Sequence, residues 1–258
     1  MDSLRRPHDE TPLTTSDPAP RLNAGELHSG LLASSERFLI VIPALNAERT
    51  VGKVVGDCLK QLPDVVVVDD GSSDDTAAIA VEAGAIVLRH AARRGKGGAM
   101  KTGFAWALEH GFQGVIGVDA DGQHLPGEIP ALIRRRVETG AEIILGGRSH
   151  LFSQMRMRRR IANRLSTWAI AMLSETPVTD SQCGFRLYSS QALRGISLRS
   201  EGFDMDSEVL VRAGRAGMRI AMTPIEMGFV DGIATSHFRA VRDTLRIAWT
   251  ILRVRYLG

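Results

Sequence analysis

Short apolar runs that alternate with stretches of helical spacing constrain this chain more than any other feature. Runs at 38–43, 65–69, 86–89, 114–119 and 142–145 carry little internal polar alternation, as expected of strands buried on both faces. Between them, 49–59, 74–83, 97–110 and 126–139 place apolar residues at helical intervals. This order predicts βαβ units, and hence an α/β fold built on a mainly parallel sheet flanked by helices. Past Arg148 the alternation gives way to an Arg-rich helical stretch, a Gly-Phe-Arg strand, a helix near 205–216, two short strands and a basic helix from about 237. With 258 residues and no internal repeat, the chain reads as one domain with a modified second half.

Residues 1–37 carry Pro7, Pro12, Pro18 and Pro20 among polar residues and show no hydrophobic period. They are expected to form a disordered N-terminal tail. The tail has no apolar core of the secretory-signal type, and no run approaches the roughly 18 residues that span a bilayer. A hydrophobic fraction of 44% is that of a folded chain, and a net charge of only +3 gives no support for a nucleic-acid partner. Nearly all the positive charge is arginine, whose planar fork suits phosphates; the same bias is also a common habit of composition. Cys58 and Cys183 make neither a disulfide framework nor a metal knuckle, so a reducing, cytoplasmic setting is expected.

In sheets of this type ligands bind beyond the carboxyl ends of the strands. One such end reads Val118-Asp119-Ala120-Asp121-Gly122-Gln123-His124. Two carboxylates one residue apart can hold a hard divalent cation and leave positions for phosphate oxygens; read as local structure, the same acids cap a turn at Gly122. Another end, Asp69-Asp70-Gly71-Ser72-Ser73-Asp74, can accept hydrogen bonds from a ribose or a base, can accept a phosphoryl group, or can cap the next helix. Gly95-Lys96-Gly97-Gly98 does not extend to a P-loop, and no strand feeds a Gly-x-Gly-x-x-Gly. Lys96 is left free to approach an anion.

Ile42-Pro43-Ala-Leu-Asn46, the Asp69–Asp74 acids, Arg94-Gly-Lys-Gly97, Asp119-Ala-Asp121, Gly147-Arg148 and Gly184-Phe-Arg-Leu-Tyr188 stand in an order and spacing that resemble family 2 glycosyltransferases, most closely the dolichyl-phosphate or polyprenyl-phosphate mannose synthase branch. The resemblance spans about residues 38–237. It implies a GT-A domain over 38–236, an amphipathic helix over 237–258, a nucleotide-diphosphate sugar donor of the GDP-mannose or UDP-glucose type, Mg²⁺ or Mn²⁺, and inversion at the anomeric carbon. Carried over by position, Pro43, Leu45, Val68 and Asp70 would line the nucleoside, with Asn46, Lys96 and His237 among the donor contacts. Asp119 and Ala120 would meet the ribose and diphosphate, and Arg148 the phosphates. Asp119, Asp121 and Gln123 would hold the metal. Ala47 stands where the family usually has Glu, which leaves that role to Glu48; Gly232 and Ser236-His237 replace the family's Arg and Ser-Lys.

A phosphate-monoester acceptor is already an anion at neutral pH and needs no general base, which leaves Asp121 and Arg148 to manage the leaving diphosphate. Arg186 and the Arg156, Arg158, Arg159 and Arg160 cluster are candidates for the acceptor phosphate. Asp180 would orient an arginine, or act as base toward a hydroxyl acceptor. Two stripes with flanking arginines, Ile161, Leu165, Trp168, Ala169 and Met172, then Phe238, Val241, Leu245, Trp249, Leu252 and Tyr256, suit reversible contact with a membrane surface or packing on the core. The expected setting is cytoplasmic, peripheral on the inner membrane's cytoplasmic face, with room for a separate membrane partner protein. The leading expectation is hexose transfer to a polyprenyl phosphate. The alternatives are a hydroxyl acceptor in cell-envelope polysaccharide synthesis, and a non-catalytic nucleotide-sugar-binding protein.

Overall fold

The apolar runs all become strands of one sheet, four of them interior and the 86–89 run at its edge. In a computed structural model that describes residues 36–148, 180–181, 183–228, 249–250 and 253–254, the strands are β1 (Phe38–Ala44), β2 (Val65–Asp69), β3 (Ile86–Arg89), β4 (Gly114–Gly117), β5 (Ile143–Gly147), β6 (Arg186–Ser189) and β7 (Ile220–Pro224). Their order is β3-β2-β1-β4-β6-β5-β7. The pairs β1·β2, β1·β4, β2·β3 and β5·β7 are parallel. β6 alone runs against its neighbours β4 and β5, so the sheet is mainly parallel, as expected. β2, β4, β5 and β6 are buried along their whole length, whereas the edge strands β3 and β7 are partly exposed.

The helices are α1 (Val51–Leu59), α2 (Thr76–Glu82), α3 (Lys96–Glu109), α4 (Ile129–Thr139), α5 (Ser190–Gly195) and α6 (Met205–Arg215). α1 buries Val51, Val54, Val55 and Cys58, one stripe at helical spacing. α3 instead presents small residues to the sheet, and at Gly103 the side chain of Val41 leaves no room for a Cβ. The helix expected over 126–139 begins as a 3₁₀ turn, Pro126–Glu128. Pro130 has no N–H to give Pro126 O, and the Ile129 N–H closes the tighter turn on that carbonyl instead. Of the two short strands expected after α6, one is β7; beyond it the described residues show a single bridge, His124 to Met227, and the chain from 229 to 248 lies outside the described residues.

Register decides where the loops emerge. Ala44 lies beside Asp69, Val41 beside Gly117, and both Gly117 and Leu145 beside Arg186. The loops after β1, β2, β4 and β5 therefore leave one edge of the sheet. Because β6 is reversed, its entry segment 183–185 reaches that same edge. The order 3-2-1-4 reverses direction between β1 and β4, which opens a crevice at that point.

At the chain's end, 249–250 and 253–254 are helical. The Thr250 hydroxyl donates to Asp204 Oδ2 at 2.9 Å and Val254 joins the core, while Trp249 is 61% exposed. No helix among the described residues is long and apolar enough to cross a membrane. Residues 1–35 of the expected tail lie outside the described residues, as do the Arg156–Arg160 cluster, the 161–172 stripe, Gly232, Ser236, His237, and Phe238, Val241, Leu245, Leu252 and Tyr256 of the terminal stripe.

Glu208 ties α6 to the segment before it. Fully buried, its carboxylate accepts the backbone N–H groups of Arg199 and Ser200 and Nε–H of Arg212. Removing it leaves buried donors without their acceptor, so Glu208→Ala is expected to lower stability by about 3–5 kcal/mol, read as a fall in the urea midpoint with the m-value unchanged.

Candidate active site

The loops at this edge are stitched together before any ligand is considered. Asn46 sits at φ +50°, in the left-handed region that asparagine tolerates. From there its Oδ1 accepts the Ser73 N–H at 3.0 Å, and its own N–H donates to Ser72 Oγ. The Ala47 N–H donates to Thr76 Oγ1, and Glu48 Oε2 accepts from the Asp75 N–H. Thr50 Oγ1 donates across to the carbonyl of Ala120 at 2.7 Å, which binds the first loop to the third. Asn46 and Glu48, expected to touch a donor, are engaged in holding these loops in register.

Asp70 is similarly committed. It is buried, and its Oδ1 meets the backbone N–H of Arg94 and Nδ1 of His90, both at 2.8 Å, while Oδ2 accepts the Gly95 N–H at 2.7 Å. His90 Nε2 continues to Thr102 Oγ1 on α3. The carboxylate thus shapes the turn that delivers Lys96 to the first position of α3. Val68 packs wholly in the core instead of lining a pocket. Pro43 and Leu45 are partly exposed at the end of β1.

Lys96 is not free to approach an anion. Its Nζ lies 2.7 Å from Asp119 Oδ1 and 3.5 Å from Asp206 Oδ2. Burial alone would lower the ammonium's pKa, but the two carboxylates outweigh it and hold the pKa above the usual lysine range. Asp119 shows the converse: burial would raise its pKa, and the Lys96 charge holds it below the carboxylate norm. The pair is packed against the backbone of the segment entering β6. A Cβ on Gly184 would lie 2.5 Å from Lys96 Nζ and 3.1 Å from Asp119 Oδ2, so a side chain there would push the ammonium and the carboxylate out of their present positions.

Asp121, two residues on, faces the opposite situation. Burial and the neighbouring Asp119 charge push its pKa up to about 6. Its Oδ1 accepts the Gln123 N–H, closing the turn at Gly122. His124 beyond it is buried, stacks on Phe185 and accepts the Asp119 N–H on Nδ1. That bond puts the ring proton on Nε2, and burial holds the imidazole near pKa 4, neutral at physiological pH. Asp119 and Asp121 form a carboxylate pair whose like charges a divalent cation would relieve. Among the described residues no group of three or more acidic, His or Cys side chains is placed to hold a metal ion.

Arg148, directly after β5, is clamped by Asp180: its Nε and one terminal N–H donate to the two carboxylate oxygens at 2.7 and 3.1 Å, and its backbone N–H adds a third bond. The guanidinium is close enough for its charge to act on Asp119. Asp180 does orient an arginine, and the arginine is this one. Arg186, expected at an acceptor phosphate, is fully buried and donates to the carbonyls of Ser181, Cys183 and Asp206. It braces the entry to β6 and the start of α6, and its guanidinium is taken up there. The structure also brings in two residues outside the motifs read from the sequence: His90, directly after β3 at the same sheet edge, and Asp206, which only the packing of α6 places beside the crevice.

The Asp121 carboxyl has a sharp pH signature. With a folded pKa of about 6 against an ordinary 3.8, it contributes stability that is fully present below pH 3.8 and is lost as pH rises through 6. Asp121→Asn does not titrate, so in metal-free buffer the variant should melt a few degrees above the parent at pH 7.5, with the gain shrinking toward zero near pH 4. Paired calorimetric scans at the two pH values check this.

The geometry meets known proteins at several levels. The model of glycosyl transferase family 2 matches residues 39–196. A UDP-N-acetylglucosamine--dolichyl-phosphate N-acetylglucosaminyltransferase from Methanococcus voltae is 30% identical over 74% of this chain and 86% of its own length. An undecaprenyl-phosphate mannosyltransferase from Micrococcus luteus is 31% identical over 73% of this chain and 82% of its own. In fold, the chain is similar to a glucosyl-3-phosphoglycerate synthase from Mycobacterium tuberculosis crystallised with Mn²⁺, UDP and phosphoglyceric acid, with a TM-score of 0.73 at 21% identity over 95% of this chain and 87% of that one. With its GT-A fold and the strand-end acids on one edge of the sheet, the chain belongs to glycosyltransferase family 2 and is a glycosyltransferase.

Proposed function

We propose that this glycosyltransferase moves a hexose from a nucleotide-diphosphate sugar to a polyprenyl phosphate, with inversion at the anomeric carbon and with Mg²⁺ or Mn²⁺ held by Asp119 and Asp121, Gln123 assisting. The observation that carries this reading is the meeting, at one sheet edge, of a strained carboxylate pair with an arginine already fixed by its own carboxylate. The relatives that act on dolichyl or undecaprenyl phosphate support the acceptor class.

The chain's own groups then divide the work. A bound divalent cation would supply Lewis acidity for the leaving diphosphate. Arg148 adds a fixed positive charge beside it, and because Asp180 holds the guanidinium from both oxygens, little reorganisation is needed as charge develops. An acceptor phosphate arrives as an anion and needs alignment rather than deprotonation. The Asp180 geometry favours this over a hydroxyl acceptor, since both carboxylate oxygens are occupied by Arg148. The exposed Trp249, next to the docked Thr250, supports reversible contact with a membrane surface where such an acceptor resides.

Purified protein given a UDP- or GDP-hexose, undecaprenyl phosphate in detergent micelles and Mn²⁺ should form a glycosylated polyprenyl phosphate. EDTA should abolish turnover. Product formation undiminished by EDTA, or no product with any common UDP- or GDP-hexose, would refute the reading.

Arg148 and Asp180 should behave as one unit. Arg148→Met should lower kcat/KM by about 10²-fold and Asp180→Asn by about tenfold, with the double variant no worse than Arg148→Met. A loss in Asp180→Asn larger than that in Arg148→Met would instead make Asp180 a base.

A further inference from the structure

We infer that Lys96 is a tethered counter-ion that holds the divalent cation's place on Asp119 before a donor binds, and that Asp206 receives its ammonium when the cation arrives. The inference rests on the reading of Asp119 and Asp121 as cation ligands. Three observations support it.

Lys96 is the residue on which the loop architecture converges. Asp70 bonds the N–H groups of Arg94 and Gly95 just before it, and the Gly98 N–H just after it donates to Glu201 O. Gly95 at φ +94° and Gly97 both press against the 200–202 segment, where a Cβ would collide with backbone. The helix start is therefore fixed, while the long lysine stem remains able to turn about its terminal bonds.

Two acceptors stand within reach of that stem. Nζ is 2.7 Å from Asp119 Oδ1 and 3.5 Å from Asp206 Oδ2, so a sub-ångström shift changes its principal partner. Asp206 is itself held from the other side: Arg186 donates to its carbonyl at 2.7 Å, and the guanidinium lies 3.7 Å from its Oδ1. The ammonium also lies close to the Gly184 backbone, where an added Cβ would come within 2.5 Å of Nζ.

The charges make the exchange favourable in one direction only. Asp119 has the ammonium as its partner at 2.7 Å, and Asp121 stands two residues on in the turn that its own carboxylate closes on the Gln123 N–H. A divalent cation held by Asp119 and Asp121 would repel the ammonium at short range, and Asp206 would offer the displaced charge a buried partner. Lys96 would then stand beside the diphosphate with its charge retained. Cation and donor would load together, since the diphosphate offsets the extra positive charge that a cation alone leaves behind.

Mn²⁺ binding without nucleotide, followed by electron paramagnetic resonance of the free ion, tests this directly. Lys96→Met should tighten binary Mn²⁺ binding by about fivefold or more, although it removes a donor-side cation. Asp206→Asn should weaken it, because Lys96 is left to Asp119 alone. That weakening should vanish in the Lys96→Met background. If Asp206→Asn weakens binding equally in both backgrounds, the carboxylate acts only as a bulk charge and the hand-over is refuted. Equal, weaker or undetectable Mn²⁺ binding in Lys96→Met also refutes it, provided far-ultraviolet dichroism shows both variants folded. Should Lys96→Met misfold, Asp206→Asn measured against the parent decides, and unchanged affinity there is the refuting result. Melting of the parent with Mn²⁺ and UDP or GDP separates the two levels. Stabilisation there with no gain in Lys96→Met defeats the counter-ion role alone, whereas no Mn²⁺-dependent stabilisation in any variant defeats the metal reading with it.

Discussion

Buried charge must be matched by buried charge, and the crevice of this protein is organised around that requirement. The Lys96 ammonium, Asp119 and Asp206 come from α3, the loop after β4 and α6. An uncompensated ion at this depth would cost several kcal/mol, so the three elements must meet with little positional freedom. The glycines at 95 and 97 follow from this, since each stands where a side chain would collide with the 200–202 backbone and force the helix start away from the pair. The sheet contributes the register, and the ion pairs decide how closely the helices approach it.

A division of labour among the acids follows. Asp69 and Asp70 end the same strand, yet both serve the scaffold: Asp69 accepts the Ser72 N–H and pairs with Arg89, while Asp70 bonds the turn before α3. Asp119 is neutralised within the protein. Asp121 is the acid left at a disadvantage, with a carboxyl pushed toward neutrality by burial and by its neighbour. Strain of this kind is tolerated in folded proteins mainly where a ligand relieves it.

Much of the sheet was legible because a strand buried on both faces leaves an unmistakable run of Val and Ile, as in Val65–Asp69, and because parallel connections require helices between such runs. The antiparallel β6 was harder. Arg-Leu-Tyr-Ser carries no signal of direction, and its place between β4 and β5 depends on pairings distant in sequence. The site was legible where acids sit at strand ends, since their position is a consequence of topology. It was not legible where partners come from elsewhere. Nothing local distinguishes Asp206 from any other first-turn acid of a helix, and Arg186 looks like a phosphate ligand until its three carbonyl partners are seen. Asn46 and Glu48 stay ambiguous in sequence for a related reason, because a polar side chain at a loop serves equally well to bind a ligand or to hold the next loop.

The distinction between held and holding groups also explains how one edge can serve a highly charged substrate. A diphosphate with its cation needs positive charge that stays in place and negative charge that can yield. Arg148 supplies the first, since its bidentate bond to Asp180 fixes it through both oxygens. In the proposed reading Asp119 and Asp121 would supply the second, Asp119 being released as the Lys96 ammonium moves to Asp206. A rigid arginine at position 96 would fill the slot against Gly184 with a planar fork and could not pass between the two acids on a small rotation. The compact, rotatable ammonium of lysine suits that position for the same reason that the fork of arginine suits position 148.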